Sequence, residues 1–171
     1  MSFVRNIDIE LNPQSIDNAI REIERFERDL RECCNDLIRA LTEEGITVAK
    51  MNVMSMNAVY TGYLEESIDG IFFPRERIGV IFTPAPYSIY VEYGTGIVGK
   101  NGPAYPGEMM PGYEPDAMGH GESGWWYFDT TDGNRRFKWT KGMESRPFMY
   151  NTLRWLEQNA PEWASAAFSG M

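Results

Sequence analysis

The strongest constraint on this chain is an apolar pattern that recurs every three or four positions through its first quarter. Ile16, Ala19, Ile20, Ile23, Phe26, Leu30, Cys33, Leu37 and Leu41 carry it, and Arg21, Glu24, Arg25, Arg28 and Glu32 fill the positions between. Only a helix brings residues at those spacings onto one face, so the pattern predicts a long amphipathic α-helix. Asn12-Pro13 marks its start. The asparagine side chain can accept from an early free amide, and a proline in the first turn has no N–H left to satisfy. Gly45 offers a place to bend, and Ile46, Val48 and Ala49 resume the pattern beyond it. Upstream, Val4, Ile7, Ile9 and Leu11 alternate with Arg5, Asp8 and Glu10, so residues 1–12 read as an arm or edge strand.

The remainder reads as strands, a loop and a second helix. Thr61-Gly62 is a turn, and Tyr63 to Ile68 leads into a hairpin of Ile71-Phe72-Phe73 and Ile78 to Thr83 around Pro74-Arg75-Glu76-Arg77. Tyr87 to Tyr93 suits a short helix better than a strand. Residues 94–124 hold nine of the 16 glycines and four of the 10 prolines, which predicts a long loop without a packed element. Trp125 to Thr130 and Arg135 to Thr140 flank Thr131-Asp132-Gly133-Asn134 as a second hairpin. Pro147 begins a closing helix through Leu156, which Asn159-Ala160-Pro161 is expected to interrupt. The expected fold is α+β: a long N-terminal helix packed on a small, mostly antiparallel sheet, with a closing C-terminal helix. Residues 13–171 form one domain, with 94–140 as an inserted loop and aromatic hairpin.

Composition limits what such a domain does. With 171 residues, 43% of them apolar, the chain can bury a single core. Its net charge of −9 repels phosphate, which disfavours DNA binding driven by counterion release. The same charge suits a wall past which DNA slides. The cysteines are the neighbours Cys33 and Cys34, which cannot clip distant segments together, so assembly in a reducing cytosol is expected. The N-terminal residues lack the apolar core of a signal peptide. No run approaches the roughly 18 apolar residues of a membrane span, so no membrane partner is expected.

Four features invite a chemical reading. Gly94-Thr95-Gly96-Ile97-Val98-Gly99-Lys100-Asn101 matches a dinucleotide fingerprint in spacing and nearly matches a phosphate loop. Both need a helix directly after the glycines, and Gly102, Pro103, Pro106 and Gly107 follow instead. His120 is the single histidine; with Asp116 or Glu122 it falls short of a four-ligand structural zinc site, and a solvated loop histidine is the simpler reading. Glu43-Glu44, Glu65-Glu66 and Glu92 are carboxylate candidates by number alone, and a solvated charge is the default for each. Trp125-Trp126-Tyr127-Phe128, with Trp139 across the hairpin, would stack on sugars or bases, but an acidic chain suits an aromatic subunit interface better. No catalytic residue, cofactor site or metal site is assigned.

Four segments together resemble a known family. They are the long helix ending in Ala49-Lys50; Thr61-Gly62-Tyr63-Leu64 with Ser67-Ile68; Tyr87-Ser88-Ile89-Tyr90-Val91-Glu92-Tyr93-Gly94-Thr95; and Arg146-Pro147-Phe148-Met149. In this order they resemble the HK-type tail-component family of tailed bacteriophages, over roughly residues 30–156. Asn57-Ala58-Val59-Tyr60 departs from that family's Ala-Pro-Val before the Thr-Gly pair. The resemblance implies a virion structural protein without an active site, assembled in the host cytoplasm as a homo-oligomeric ring of six or twelve copies at the neck. Its neighbours would be head-closure or connector proteins and tail-terminator or tail-tube proteins, with DNA passing through the lumen unbound. Thr61, Gly62, Leu64, Ser67, Tyr90, Glu92, Tyr93, Gly94, Thr95, Arg146, Pro147 and Phe148 are the motif positions, and Trp125 and Trp126 the expected interface. The arm 1–12 and loop 94–124 are expected to reach neighbouring subunits. A tail terminator is the alternative within the same class. A small nucleotide-binding or hydrolytic enzyme built on 94–101, or a carbohydrate-binding module built on the tryptophan hairpin, are the readings from other classes.

Overall fold

A computed structural model describes residues 7–58, 62–129 and 136–169. The predicted first helix, α1, spans Pro13–Ser55 without a break at Gly45. Asn12 caps it, its side-chain oxygen accepting the Ser15 amide at 2.9 Å. At 43 residues it is about 64 Å long. Ile7 to Asn12 precede it without regular structure, so no strand forms in the described part of the arm.

The elements that follow are α2 (Tyr63–Ser67), β1 (Asp69–Phe73), β2 (Ile78–Phe82), α3 (Ser88–Tyr93) and α4 (Gly96–Asn101). Then come β3 (Trp125–Asp129), β4 (Arg136–Thr140), β5 (Gly142–Met143) and α5 (Phe148–Ala167). The fold is α+β, as expected. The strands form two separate antiparallel hairpins, β1–β2 and β3–β4, in place of one small sheet. α1 packs on β1, β2, α2 and α5.

Several local expectations change. Tyr63 to Ser67 is helical, because Gly62 adopts a left-handed φ of 83° and reverses the chain into a turn of helix. The Gly/Pro stretch is no bare loop: α4 starts inside it at Gly96, and a 3₁₀ turn occupies Gly121–Ser123. Tyr87 to Tyr93 is helical over Ser88–Tyr93. Pro161 lies inside α5 without ending it. The packing of α5 along α1 holds the helix through the roughly 3 kcal/mol that an interior proline costs. The turn predicted at 131–134 and Thr61 lie outside the described residues.

The core sits where four helices meet. Ala49 and Val53 of α1, Leu64 of α2, Val91 of α3 and Phe148 of α5 are buried there with Ala58, Ile68 and Ala85. Asn52 of α1 donates to the Phe148 carbonyl at 3.3 Å and to the Thr152 hydroxyl at 3.1 Å, fixing the register of α1 against α5. The first hairpin lies against α1 through glycines. A Cβ at Gly79 would stand 1.9 Å from Thr42 Oγ1 and 3.2 Å from Thr42 Cβ. Thr42 is itself buried and donates to the Ile38 carbonyl at 2.7 Å, so it has little room to yield.

Gly79→Ala is therefore expected to push β2 off α1 and destabilise the fold by about 1–3 kcal/mol. Thermal unfolding should show a midpoint lowered by several degrees; an unchanged midpoint would contradict this packing.

Candidate functional site

Two of the family-like segments, 50 residues apart in sequence, close on a single carboxylate. Glu92 lies near the end of α3 and is only 6% exposed. Its Oε2 accepts the Met149 amide at 2.9 Å, and its Oε1 accepts the Tyr150 amide at 3.0 Å and the Tyr105 hydroxyl at 2.9 Å. Met149 and Tyr150 are in the first turn of α5, whose amides have no partner within the helix. Pro147 precedes that turn and makes no side-chain cap. Glu92 provides the missing acceptor from another element, and its charge faces the positive end of the helix dipole.

The backbone on either side is tied to the same place. The Arg146 amide donates to the Val91 carbonyl at 2.8 Å, and the Ser145 hydroxyl donates to the Glu92 carbonyl at 2.6 Å. Thr95 and Gly96 bridge Met143 and Gly142 in antiparallel fashion, and Thr95 Oγ1 accepts the Met143 amide at 3.2 Å. Gly94 has a φ of 80°, and a Cβ there would lie 2.7 Å from the Ser145 nitrogen. Only glycine lets the two segments approach so closely.

Tyrosines fasten the Gly/Pro stretch over this junction. Tyr105 sits edge-on to Tyr93 at 4.7 Å and to Tyr150 at 5.7 Å between ring centroids. The Tyr113 hydroxyl donates to the Gly94 carbonyl at 2.5 Å, and its ring lies 4.9 Å from Tyr93. Burial pushes the Tyr113 phenol up to about 12, and burial beside the Glu92 carboxylate raises Tyr105 as well. Both therefore stay protonated donors at neutral pH. Burial likewise pushes the Glu92 carboxyl above its ordinary value, and the hydrogen bonds it accepts draw it part of the way back.

An open cleft of about 600 Å³ lies over the junction, with Glu92, Tyr93, Tyr105, Met149 and Leu153 among its walls. The lining is mainly aromatic and aliphatic. Both Glu92 oxygens are already engaged, by three donors in all, so the carboxylate works as an internal cap. Among the described residues, no group of three or more His, Cys, Asp or Glu side chains is arranged to hold a metal ion.

Most of the motif positions meet here. Leu64 and Phe148 are in the core, 2% and 1% exposed. Ser67 shares a 2.8 Å hydrogen bond with the Thr83 hydroxyl, and Tyr90 packs 6.4 Å from Tyr113 while staying half exposed. Gly62, Tyr93, Gly94, Thr95, Arg146 and Pro147 hold the turns and contacts given above. Of the two tryptophans, only Trp125 reaches the junction, at Gly96. Trp125 turns inward onto His120, 4.7 Å between rings, and onto Gly96, while Trp126 is 66% exposed. His120 is thus stacked rather than freely solvated, and Asp116 accepts the amides of His120 and Gly121, each at 3.0 Å.

No helix follows the glycine motif at Gly102, as expected; the six-residue α4 forms within the motif itself. Its early amides have partners: Gly96 donates to the Pro115 carbonyl at 2.5 Å and Val98 to the Lys141 carbonyl at 3.2 Å. Tyr105, Tyr113 and Ser145 were missed from sequence. The signal for the first two was present, since they are the only tyrosines between positions 94 and 124.

Comparisons with protein-family models, curated proteins and solved structures find no match to this chain.

Glu92→Gln turns an amide N–H₂ towards backbone donors, so a loss of about 1–3 kcal/mol is expected in urea unfolding at neutral pH. A carboxyl with a raised folded pKa binds its proton more tightly folded than unfolded. Its contribution therefore grows as pH falls from that raised value towards about 4.3, the unfolded glutamate value. Relative to Glu92→Gln, the wild-type protein should gain stability as the pH is lowered towards about 4.3. A difference that stays flat or shrinks on acidification would contradict the burial of this group.

Proposed function

We propose that this chain is a structural subunit of a tailed-phage virion, placed in a ring at the head–tail junction and carrying no catalytic activity. The observation that carries the reading is the convergence of the motif segments at Glu92. Residues 91–95 and 145–150 bear the likeness to the HK-type tail-component family, and here they form one capped junction. Their residue types are accounted for by folding: a carboxylate for a capless helix, a glycine for close approach, a phenylalanine for the core.

Two further features support a part made for assembly. Large apolar side chains stand outside the core, among them Ile23 of α1 at 53% exposure and Phe137 of β4 at 68%. Surface of this kind marks contact sites. The net charge of −9 suits a ring through which DNA passes without sticking. Head-closure or connector proteins on one side and tail-terminator or tail-tube proteins on the other are the partners in this reading.

A phage lacking this gene is expected to accumulate DNA-filled heads and separate tails that fail to join. Electron microscopy of virions carrying a labelled copy should place the label at the neck. Infectious, fully joined virions from the deletion would overturn the reading.

A further inference from the structure

Helix α1 carries a line of apolar side chains that α5 covers over only part of its length. α5 runs antiparallel along α1, with Thr152 beside Asn52 and Leu156 against Gly45. Counted on from Leu156, the end of α5 at Ala167 comes level with about Cys34. From Ile16 to Leu41, steps of four and three alternate through eight positions, all Ile, Leu or Cys except Glu27. That repeat is the seam of a helix that packs on another helix. The seam lies on the line that α5 already occupies. Glu27 is five whole turns before Gly45, and Ile16 is ten whole turns before Asn52. Beyond the end of α5 the seam is open, with Ile16, Ile20, Ile23 and Leu30 38–53% exposed.

The open stretch, residues 13–33, is about 30 Å long, the length of α5. Because it continues the α5 contact, a helix fits it, lying in line with α5. Such a helix has to stop where α5 takes over the line, so it must enter by a free end. α1 has such an end. Pro13 starts it, and among the described residues only the irregular Ile7 to Asn12 precede it. Its other end lies in the core, at Ala49 and Val53. A second α1 laid parallel would run on into the space of α5 and bring two cores to one place. Laid antiparallel, its N-terminus meets the end of α5, and its core lies beyond Pro13, clear of this chain.

We infer that two copies of this chain pair through the open part of α1, antiparallel and about a two-fold axis, each α1 extending the line of the other's α5. The end-to-end fit places Pro13 of one copy near Leu30 of the other, and so sets Ile20 of each against Ile23 of the other. Glu27 then lies level with Ile16 of the second copy, where a parallel pair would set it against another Glu27. It keeps its ion pair with Arg31 of its own helix. Charge does not select this contact: Asp17 and Glu24 of the two copies come side by side on one flank, so apolar burial carries it. Such a pair uses the same surface on both copies and is closed. It is a form of the free chain, in which the exposed helix is covered before the chain joins a larger assembly, and it does not rest on the neck reading.

Analytical ultracentrifugation of the full-length protein tests it. Wild-type protein should be a dimer and should stay one at about 0.5 M salt, where exposed charges are screened. Ile20→Ser with Ile23→Ser should weaken the dimer about 30-fold or more, since a symmetric contact loses all four central side chains. Both positions are half exposed, and far-UV circular dichroism checks the fold. Trp126→Ser with Phe137→Ser, on the other exposed apolar face, should leave the dimer intact. Should the α1 variant misfold, Glu27→Leu gives a second test: replacing the one charge in the seam should tighten the dimer about tenfold. Direction is read from a spin label at Asp36→Cys, in a background with Cys33→Ser and Cys34→Ser. Asp36 is exposed, and helical spacing puts it on the far side of α1 from the seam. Antiparallel pairing sets the two labels about 50 Å apart, and parallel pairing about 25 Å. A monomeric wild-type protein, which would leave the seam to a helix of another protein, overturns the inference. So do a dimer that survives the α1 substitutions, one lost in salt or with the hairpin variant, a Glu27→Leu variant that gains nothing, and labels about 25 Å apart.

Discussion

A buried carboxylate facing a helix that cannot cap itself is the interaction on which this structure turns. α5 begins after a proline, with Phe148 sealed in the core and no side chain of its own to accept from its first amides. Burying Glu92 costs several kcal/mol in desolvation. Three donors, two of them at a helix N-terminus, return charge-assisted hydrogen bonds of about 1.5–3 kcal/mol each. Neither half of this arrangement is stable without the other. The helix needs an acceptor, and the carboxylate needs donors. That mutual need locks α3 to α5 more specifically than the apolar contact between Val91 and Phe148 does alone.

The rest of the molecule follows from that lock. α5 is fixed at its N-terminus, and from there it runs back along α1, with Asn52 bonding Phe148 and Thr152 to set the register. The same carboxylate reaches the Gly/Pro stretch through Tyr105, and Tyr113 holds it again at Gly94. A segment rich in glycine has high entropy when unfolded, so two tyrosine anchors and the bridge at Thr95–Gly96 are what make it an ordered part of the surface. Beyond this segment the β3–β4 hairpin is carried on a scaffold it does not help to build.

What could be read in the sequence was what depends on neighbours along the chain. Asn12-Pro13 and the apolar spacing of α1 specify a helix wherever they occur, and both appear as expected. The two hairpins followed from alternation and turn residues, as Ile71 to Phe73 and Arg136 to Thr140 illustrate. The family-like segments were visible as segments. That they meet at Glu92 was not, because nothing local separates it from Glu65 or Glu66, which stay at the surface of a short helix. Burial is a property of the assembled fold, and it is what gives this one carboxylate a task. Pro161 was misjudged for the same reason: the cost of a proline is local, while the packing that outweighs it lies on α1. α4 was missed because glycine weakens a helix only on average, and Gly96 is held by Pro115 and β5.

The distribution of apolar residues carries the argument from fold to assembly. Apolar residues make up 43% of the sequence, yet the continuous core is confined to one four-helix meeting point. The helix that leads away from it and the hairpin beyond it leave several of their aliphatic and aromatic side chains exposed, Ile16, Ile20 and Ile23 on the one and Trp126 and Phe137 on the other. A monomer gains nothing from that arrangement, since every exposed ring carries a free-energy cost that folding alone does not relieve. The two faces are also unalike, one a run of aliphatic side chains along a helix, the other four aromatic rings across two strands.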